Sequence, residues 1–138
     1  MTLSAPATLL SAIATLLAVL IALGTAILVA RTRTRVKIYP PFMTGSPELE
    51  CALRVQANTV EQIIIFLPAL WLAALYFQGW IPPVIGLVWC VGRVLYAIGY
   101  RPAKPGAREP GFIIGMLSTL ALIVLAGIGI ARAWIAAG

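Results

Sequence analysis

A chain of 138 residues has room for one domain and no separate soluble module. It is 62% hydrophobic and only 10% charged, where a soluble domain carries about a quarter charged residues, so it cannot cover a water-facing surface and reads as an all-α integral membrane protein. The complete absence of His and Asp excludes a Ser-His-Asp triad and any His-based metal site, and no metal is expected.

Four apolar stretches approach the ~20 residues needed to cross a bilayer as a helix, which predicts a four-transmembrane-helix bundle over residues 1–138. The first runs from about residue 6 to 30. Its amino end, MTLSAPATLL, lacks Lys and Arg while RTRTRVK follows its carboxyl end, the reverse of a signal peptide's charge order. It is therefore expected to be a retained helix. The loop after it holds Arg31, Arg33, Arg35 and Lys37, and Glu48 and Glu50 then place negative charge where the second helix should begin.

The second stretch, residues 52–77, is greasy but carries Arg54, Gln56, Asn58, Glu61 and Gln62. Ionisable groups at membrane depth are costly and mark a partner or a use. At 100° per residue Arg54, Asn58 and Glu61 fall within about 60° of one another, Gln62 borders that face and Gln56 points nearly opposite. Pro68 is a candidate kink.

A short turn, QGWIPP, leads to the third stretch, residues 82–99, with Pro82 and Pro83 where a missing N–H costs least. Trp80 beside that turn is the best interfacial anchor among the four tryptophans. Cys90 reads as a small core residue, and its distance in sequence from Cys51 suggests neither zinc nor a redox pair. Arg93, Tyr96 and Tyr100 share one face. Glu61 lies about 10 Å inside Arg54, and Arg93 about 10 Å inside Tyr100, at 1.5 Å per residue. Opposite charges at similar depth predict either a Glu61–Arg93 ion pair or shared contact with a ligand in a pocket open to the cytoplasm. Such groups also serve as plain interhelical hydrogen-bond glue. The excess of cations over Glu61 favours an anionic ligand, since an uncompensated buried charge is costly.

The loop after the third stretch holds Arg101, Lys104 and Arg108, and the fourth stretch spans residues 111–134, with Gly127 and Gly129 allowing close helix packing. Both basic loops are expected on the cytoplasmic side and both termini opposite. The net charge of +6 then reflects topology and contact with anionic lipid, and nucleic acid is not an expected partner.

The segment YPPFMTGSPELECALRVQANTVEQIIIFLPALWLAALYF, together with GRVLYAIGY, resembles the MAPEG family, membrane-associated proteins in eicosanoid and glutathione metabolism. The likeness is closest to the branch holding leukotriene C4 synthase, the five-lipoxygenase-activating protein and the microsomal glutathione transferases, and covers roughly residues 30–115. It implies a homotrimer that binds glutathione between adjacent subunits near the cytoplasmic face. Residue by residue, the resemblance implies glutathione contacts at Arg33, Arg54, Gln56, Asn58, Glu61, Arg93, Tyr96 and Tyr100. The family's thiolate-stabilising arginine falls by gapless count on Ala107. The Pro- and Gly-rich loop makes a one-residue slip easy, so Arg108 is the catalytic candidate. The tyrosine that often follows the motif glutamate is Gln62 here.

The implied activity is that of a glutathione transferase or peroxidase, in which a thiolate attacks a lipophilic electrophile or lipid hydroperoxide arriving from the bilayer. A non-catalytic lipid-binding or scaffold protein is the alternative. A small transporter fits less well, because the charges cluster at one depth on one side.

Overall fold

The computed structural model describes residues 6–138. Four long helices account for most of it: α1 (Pro6–Val36), α2 (Pro47–Leu72), α3 (Ile81–Gly99) and α4 (Glu109–Ala137). A π-helical turn, Ala73–Phe77, extends α2, and a 3-10 turn, Pro105–Arg108, leads into α4. All four helical segments are long and apolar enough to cross a membrane. With no β-strand among the described residues, the chain is an all-α, multi-pass integral membrane protein.

The helices begin and end where local chemistry dictates. α1 continues beyond its apolar stretch through the basic segment, which contains no Gly or Pro, and stops where Lys37 takes a left-handed φ of 58°. Its end is tied to the following loop by Arg33, whose Nη1 donates to the carbonyls of Ile38 (3.2 Å) and Phe42 (2.6 Å). α2 starts earlier than its apolar run, at Pro47, a residue suited to a first helical turn. Glu50 accepts from the Gly45 N–H at 3.3 Å, and Glu48 pairs with Arg35 at 2.7 Å, the only ion pair among the described residues.

Helical structure continues through Pro68 to Leu72 and then widens into the π-turn. Gln78 and Gly79, both at positive φ, reverse the chain into α3. Trp80 beside this turn is exposed. The π-turn lies against α4 at Gly129, where a Cβ would come within 2.5 Å of the Tyr76 carbonyl carbon; Gly127, by contrast, faces open space. Of the two glycines expected to permit close packing, only Gly129 does so.

The core sits between the helices at mid-length. Phe66 of α2 stacks on Trp89 of α3, with ring centroids 3.9 Å apart and planes within 4°. Ala14 and Ala18 bring α1 against this stack, while Leu122 and Ala126 close it from α4. Cys90 is buried in the same cluster, as a small core residue should be. Large apolar side chains cover the outside of every helix, including Leu16, Ile64, Val91 and Leu117. Such a continuous apolar exterior is stable in lipid and not in water.

Candidate active site

The site is built where α3 and α4 approach most closely. Gly111 lies so near the Tyr96 backbone that a Cβ would collide with the Tyr96 nitrogen and stand 2.6 Å from the Gly92 carbonyl oxygen. At Gly99 a Cβ would collide with the Ala107 carbonyl. Backbone therefore meets backbone at both points. This contact sets Tyr96 and Tyr100 directly against the residues that begin α4.

The 3-10 turn presses the Ala107 backbone onto Gly99 and turns the Arg108 side chain into a cavity of about 230 Å³. Arg54, Asn58, Tyr96, Tyr100, Glu109 and Phe112 line the same cavity. The Arg108 guanidinium lies 4.3 Å from the Tyr100 ring centroid, within cation–π range. Tyr96 packs between Tyr100 (5.8 Å) and Phe112 (6.4 Å). Among the described residues, neither Arg54 nor Arg108 has a carboxylate within ion-pair distance. Asn58 is buried, and its Oδ1 has no hydrogen-bond partner. Two guanidinium groups, two phenols, a primary amide and the Glu109 carboxylate thus converge on one small space. Such a set can hold a molecule carrying carboxylates and peptide groups.

Arg93 departs from expectation. It does not pair with Glu61. Its guanidinium is almost fully buried, at 1% exposure, and Nη2 donates to the Thr59 hydroxyl at 2.9 Å. The Tyr96 ring lies 4.3 Å from its Cζ. Glu61 is exposed, reached by Asn58 Nδ2 at a long 3.5 Å. Glu61 and Arg93 match in depth along the membrane normal, but Thr59 follows Asn58 on the inner side of α2 and meets Arg93 first. A hydrogen bond to a buried charged group contributes about 1.5–3 kcal/mol. Thr59→Val, which keeps the shape, is expected to lower unfolding stability by roughly that amount. Denaturant titration in detergent would check it.

The remaining candidates lie apart from the cavity within a single subunit. Gln56 is half-buried on the other side of α2. Arg33 is committed to its loop carbonyls. Gln62 donates to the Met116 sulfur at 3.5 Å. Sequence reasoning missed Thr59, Glu109 and Phe112. Phe112 follows Arg108 by one helical turn, a spacing that could have found it. Thr59 gave no signal, because one hydroxyl amid apolar residues is unremarkable in a membrane helix.

Comparison with known proteins accords with this architecture. The family model described as "MAPEG family" matches residues 9–128. An uncharacterised protein of Synechocystis sp. is 44% identical over 82% of this chain and 82% of its own length. Human microsomal glutathione S-transferase 2 is 41% identical over 80% of this chain and 74% of its own. Leukotriene C4 synthase of Cavia porcellus is 34% identical over 83% of this chain and 81% of its own. The chain therefore belongs to the MAPEG family.

Proposed function

We propose that this protein is a membrane-embedded glutathione transferase that conjugates lipophilic electrophiles and also reduces lipid hydroperoxides. The observation that carries the reading is the convergence of Arg54, Asn58, Tyr96, Tyr100 and Arg108 on one cavity, with neither arginine in an ion pair among the described residues. Relatives named as a glutathione S-transferase and as leukotriene C4 synthase support the choice of ligand.

Glutathione carries two carboxylates, an ammonium group and a thiol. Arg54 would clamp a carboxylate, and Asn58, Tyr96 and Tyr100 the peptide groups. Arg93, buried against Thr59 and the Tyr96 ring, would hold Tyr96 in place rather than touch the ligand, and Glu61, exposed outside the cavity, would reach the ammonium only of a ligand that extends beyond it. Arg108 would face the sulfur. A thiol of pKa about 8.5 ionises more readily beside a guanidinium. The thiolate then forms a bond to an electrophilic carbon, and the leaving group departs with the electron pair. With a hydroperoxide, two glutathiones yield the disulfide, the alcohol and water. Arg33 and Gln56, which lie off the cavity, fit the same ligand if contributed by a neighbouring subunit, and a homotrimer is the assembly we propose. The positive-inside rule supports a cytoplasmic position for this cavity, with both termini opposite, as part of the same proposal.

Glutathione-dependent thermal stabilisation tests the ligand. A ligand that binds only the folded state at 100 times its Kd stabilises by about 2.7 kcal/mol. Purified protein should therefore melt higher in millimolar glutathione, and unchanged melting would overturn the assignment. Binding without turnover of a chlorodinitrobenzene or a hydroperoxide would instead assign the chain a non-catalytic, lipid-binding role.

A further inference from the structure

The tight seating of α3 on α4 leaves the seam between α3 and α1 open at one end. α2 carries the chain back between these two helices, so α1 and α3 run parallel. Away from the basic loops they touch. A Cβ at Gly86 would stand 3.2 Å from Ala14 Cβ, and the Cys90 thiol donates to the Ala14 carbonyl at 3.5 Å. Toward the basic loops two cavities separate them. One of about 390 Å³ is walled by Leu17 and Ile21 of α1 and by Leu87, Val91 and Val94 of α3. The other, of about 420 Å³, lies nearer the loops and is walled by Leu28, Thr32 and Arg35 of α1, Glu48 of α2, and Ile98 and Arg101 at the end of α3. Leu17, Ile21, Gly24 and Leu28 recur at helical spacing on one face of α1, which puts Gly24 between the two cavities. Gly24 is exposed, and a Cβ there would meet nothing within 4 Å. The cavities are thus two ends of one groove.

This groove is apolar along its length and charged at its mouth. Leu28 and Ile98 are exposed where it meets lipid. At the mouth Arg35 is neutralised by Glu48 at 2.7 Å, which leaves the charge of Arg101, whose Nε donates to the Ile98 carbonyl at 2.9 Å. From Ile98 to Leu87 the groove measures about 16 Å at 1.5 Å per residue. That is the depth of one leaflet, half of a hydrocarbon core of ~30 Å. Water finds no polar partners along the apolar part. An unfilled gap forfeits dispersion contacts, the main attraction between helices in lipid. The fitting occupant therefore has an apolar chain of leaflet length and one negative charge at its end. We propose that the α1–α3 seam binds one anionic phospholipid of the leaflet next to the basic loops, with an acyl chain lying across Gly24 and the phosphate on Arg101. The lipid fills the wedge that the α3–α4 contact opens, and braces α1 against α3.

The test uses full-length, delipidated protein in detergent without glutathione, so it stands apart from the proposed activity. Thermal unfolding is compared in detergent alone and with added dioleoyl phosphatidylglycerol, dioleoyl phosphatidylcholine or soluble glycerol phosphate. Wild type should melt several degrees higher with phosphatidylglycerol than under the other three conditions. Native mass spectrometry should show one phosphatidylglycerol retained per subunit. Gly24→Leu fills the groove from a position with room for a side chain and with a better helix former, so it should fold normally. It should lose both the shift and the retained lipid. Arg101→Gln, at an exposed position, should make the two phospholipids equivalent. Equal effects of the two phospholipids on wild type would overturn the proposal. So would a phosphatidylglycerol preference that survives in Gly24→Leu, since the basic loops alone would then attract the headgroup. A shift of the same size with glycerol phosphate would mean an anion site without a groove. A change of oligomeric mass in Gly24→Leu would mean that a second copy covers the seam, and either result would overturn it equally.

Discussion

Arg108→Ala is expected to lower glutathione-dependent turnover of an electrophile by about 100- to 1,000-fold while leaving glutathione-induced thermal stabilisation largely intact. The magnitude is that of removing one preorganised donor from a developing or resident anion, about 2.7–4 kcal/mol. The separation of the two readouts follows from geometry. Arg108 stacks on Tyr100 and has no ion-pair partner of its own, so its loss removes a charge without leaving another charge buried and unpaired. Arg54, Asn58 and Tyr96 still line the cavity and would still hold the tripeptide. Arg108→Lys should recover part of the rate, because the charge returns without the planar fork. Steady-state kinetics with a chlorodinitrobenzene, beside melting curves in millimolar glutathione, would check both halves. Equal loss of binding and turnover would make Arg108 a binding residue and nothing more.

The second large effect concerns α4. Gly111→Ala should destabilise the protein by about 3 kcal/mol or more, the upper range for overpacking, since backbone rather than a movable side chain stands in the way. It should also impair glutathione binding, because α3 and α4 must separate and carry Tyr96 and Arg108 apart. Gly127→Ala supplies the contrast. Its Cβ meets nothing within 4 Å, and Ala in place of Gly in a helix stabilises by roughly 0.5–1 kcal/mol. Unfolding of the two variants in the same detergent should move in opposite directions. A Gly111→Ala protein as stable as wild type would contradict the close contact.

The sequence makes the gross architecture readable because lipid imposes simple rules. Apolar runs of spanning length reveal four helices, and helical periodicity puts Arg54 and Asn58 on a common face that does line one cavity. Partners were less readable. Glu61 and Arg93 match in depth and in sign, yet depth is one coordinate of three. The rotation of α2 about its axis, set by packing of Val55, Thr59 and Phe66, turns Glu61 outward and gives Arg93 a hydroxyl instead. The boundary shifts have similar causes. α1 overruns its apolar stretch because membrane helices need not end at the membrane surface. The π-turn leaves no mark in composition, since it answers a contact with Gly129 far away in sequence. Which of Ala107 and Arg108 faces the cavity is not readable from a Pro- and Gly-rich loop, because it depends on the contact between the Ala107 backbone and Gly99.

The glycine contacts between α3 and α4 also have a mechanical consequence. With backbone against backbone at Gly99 and Gly111, and little side chain between to compress, the two helices form one stiff plate. Arg93, Tyr96, Tyr100, Arg108 and Phe112 all ride on that plate. Arg54, Asn58 and Thr59 ride on α2, which meets the plate through the flat Phe66–Trp89 stack. Stacked rings slide and tilt more freely than interlocked backbones. The seam between α2 and that plate is thus the softer wall of the cavity, and the Thr59–Arg93 hydrogen bond is a buried polar tie across it.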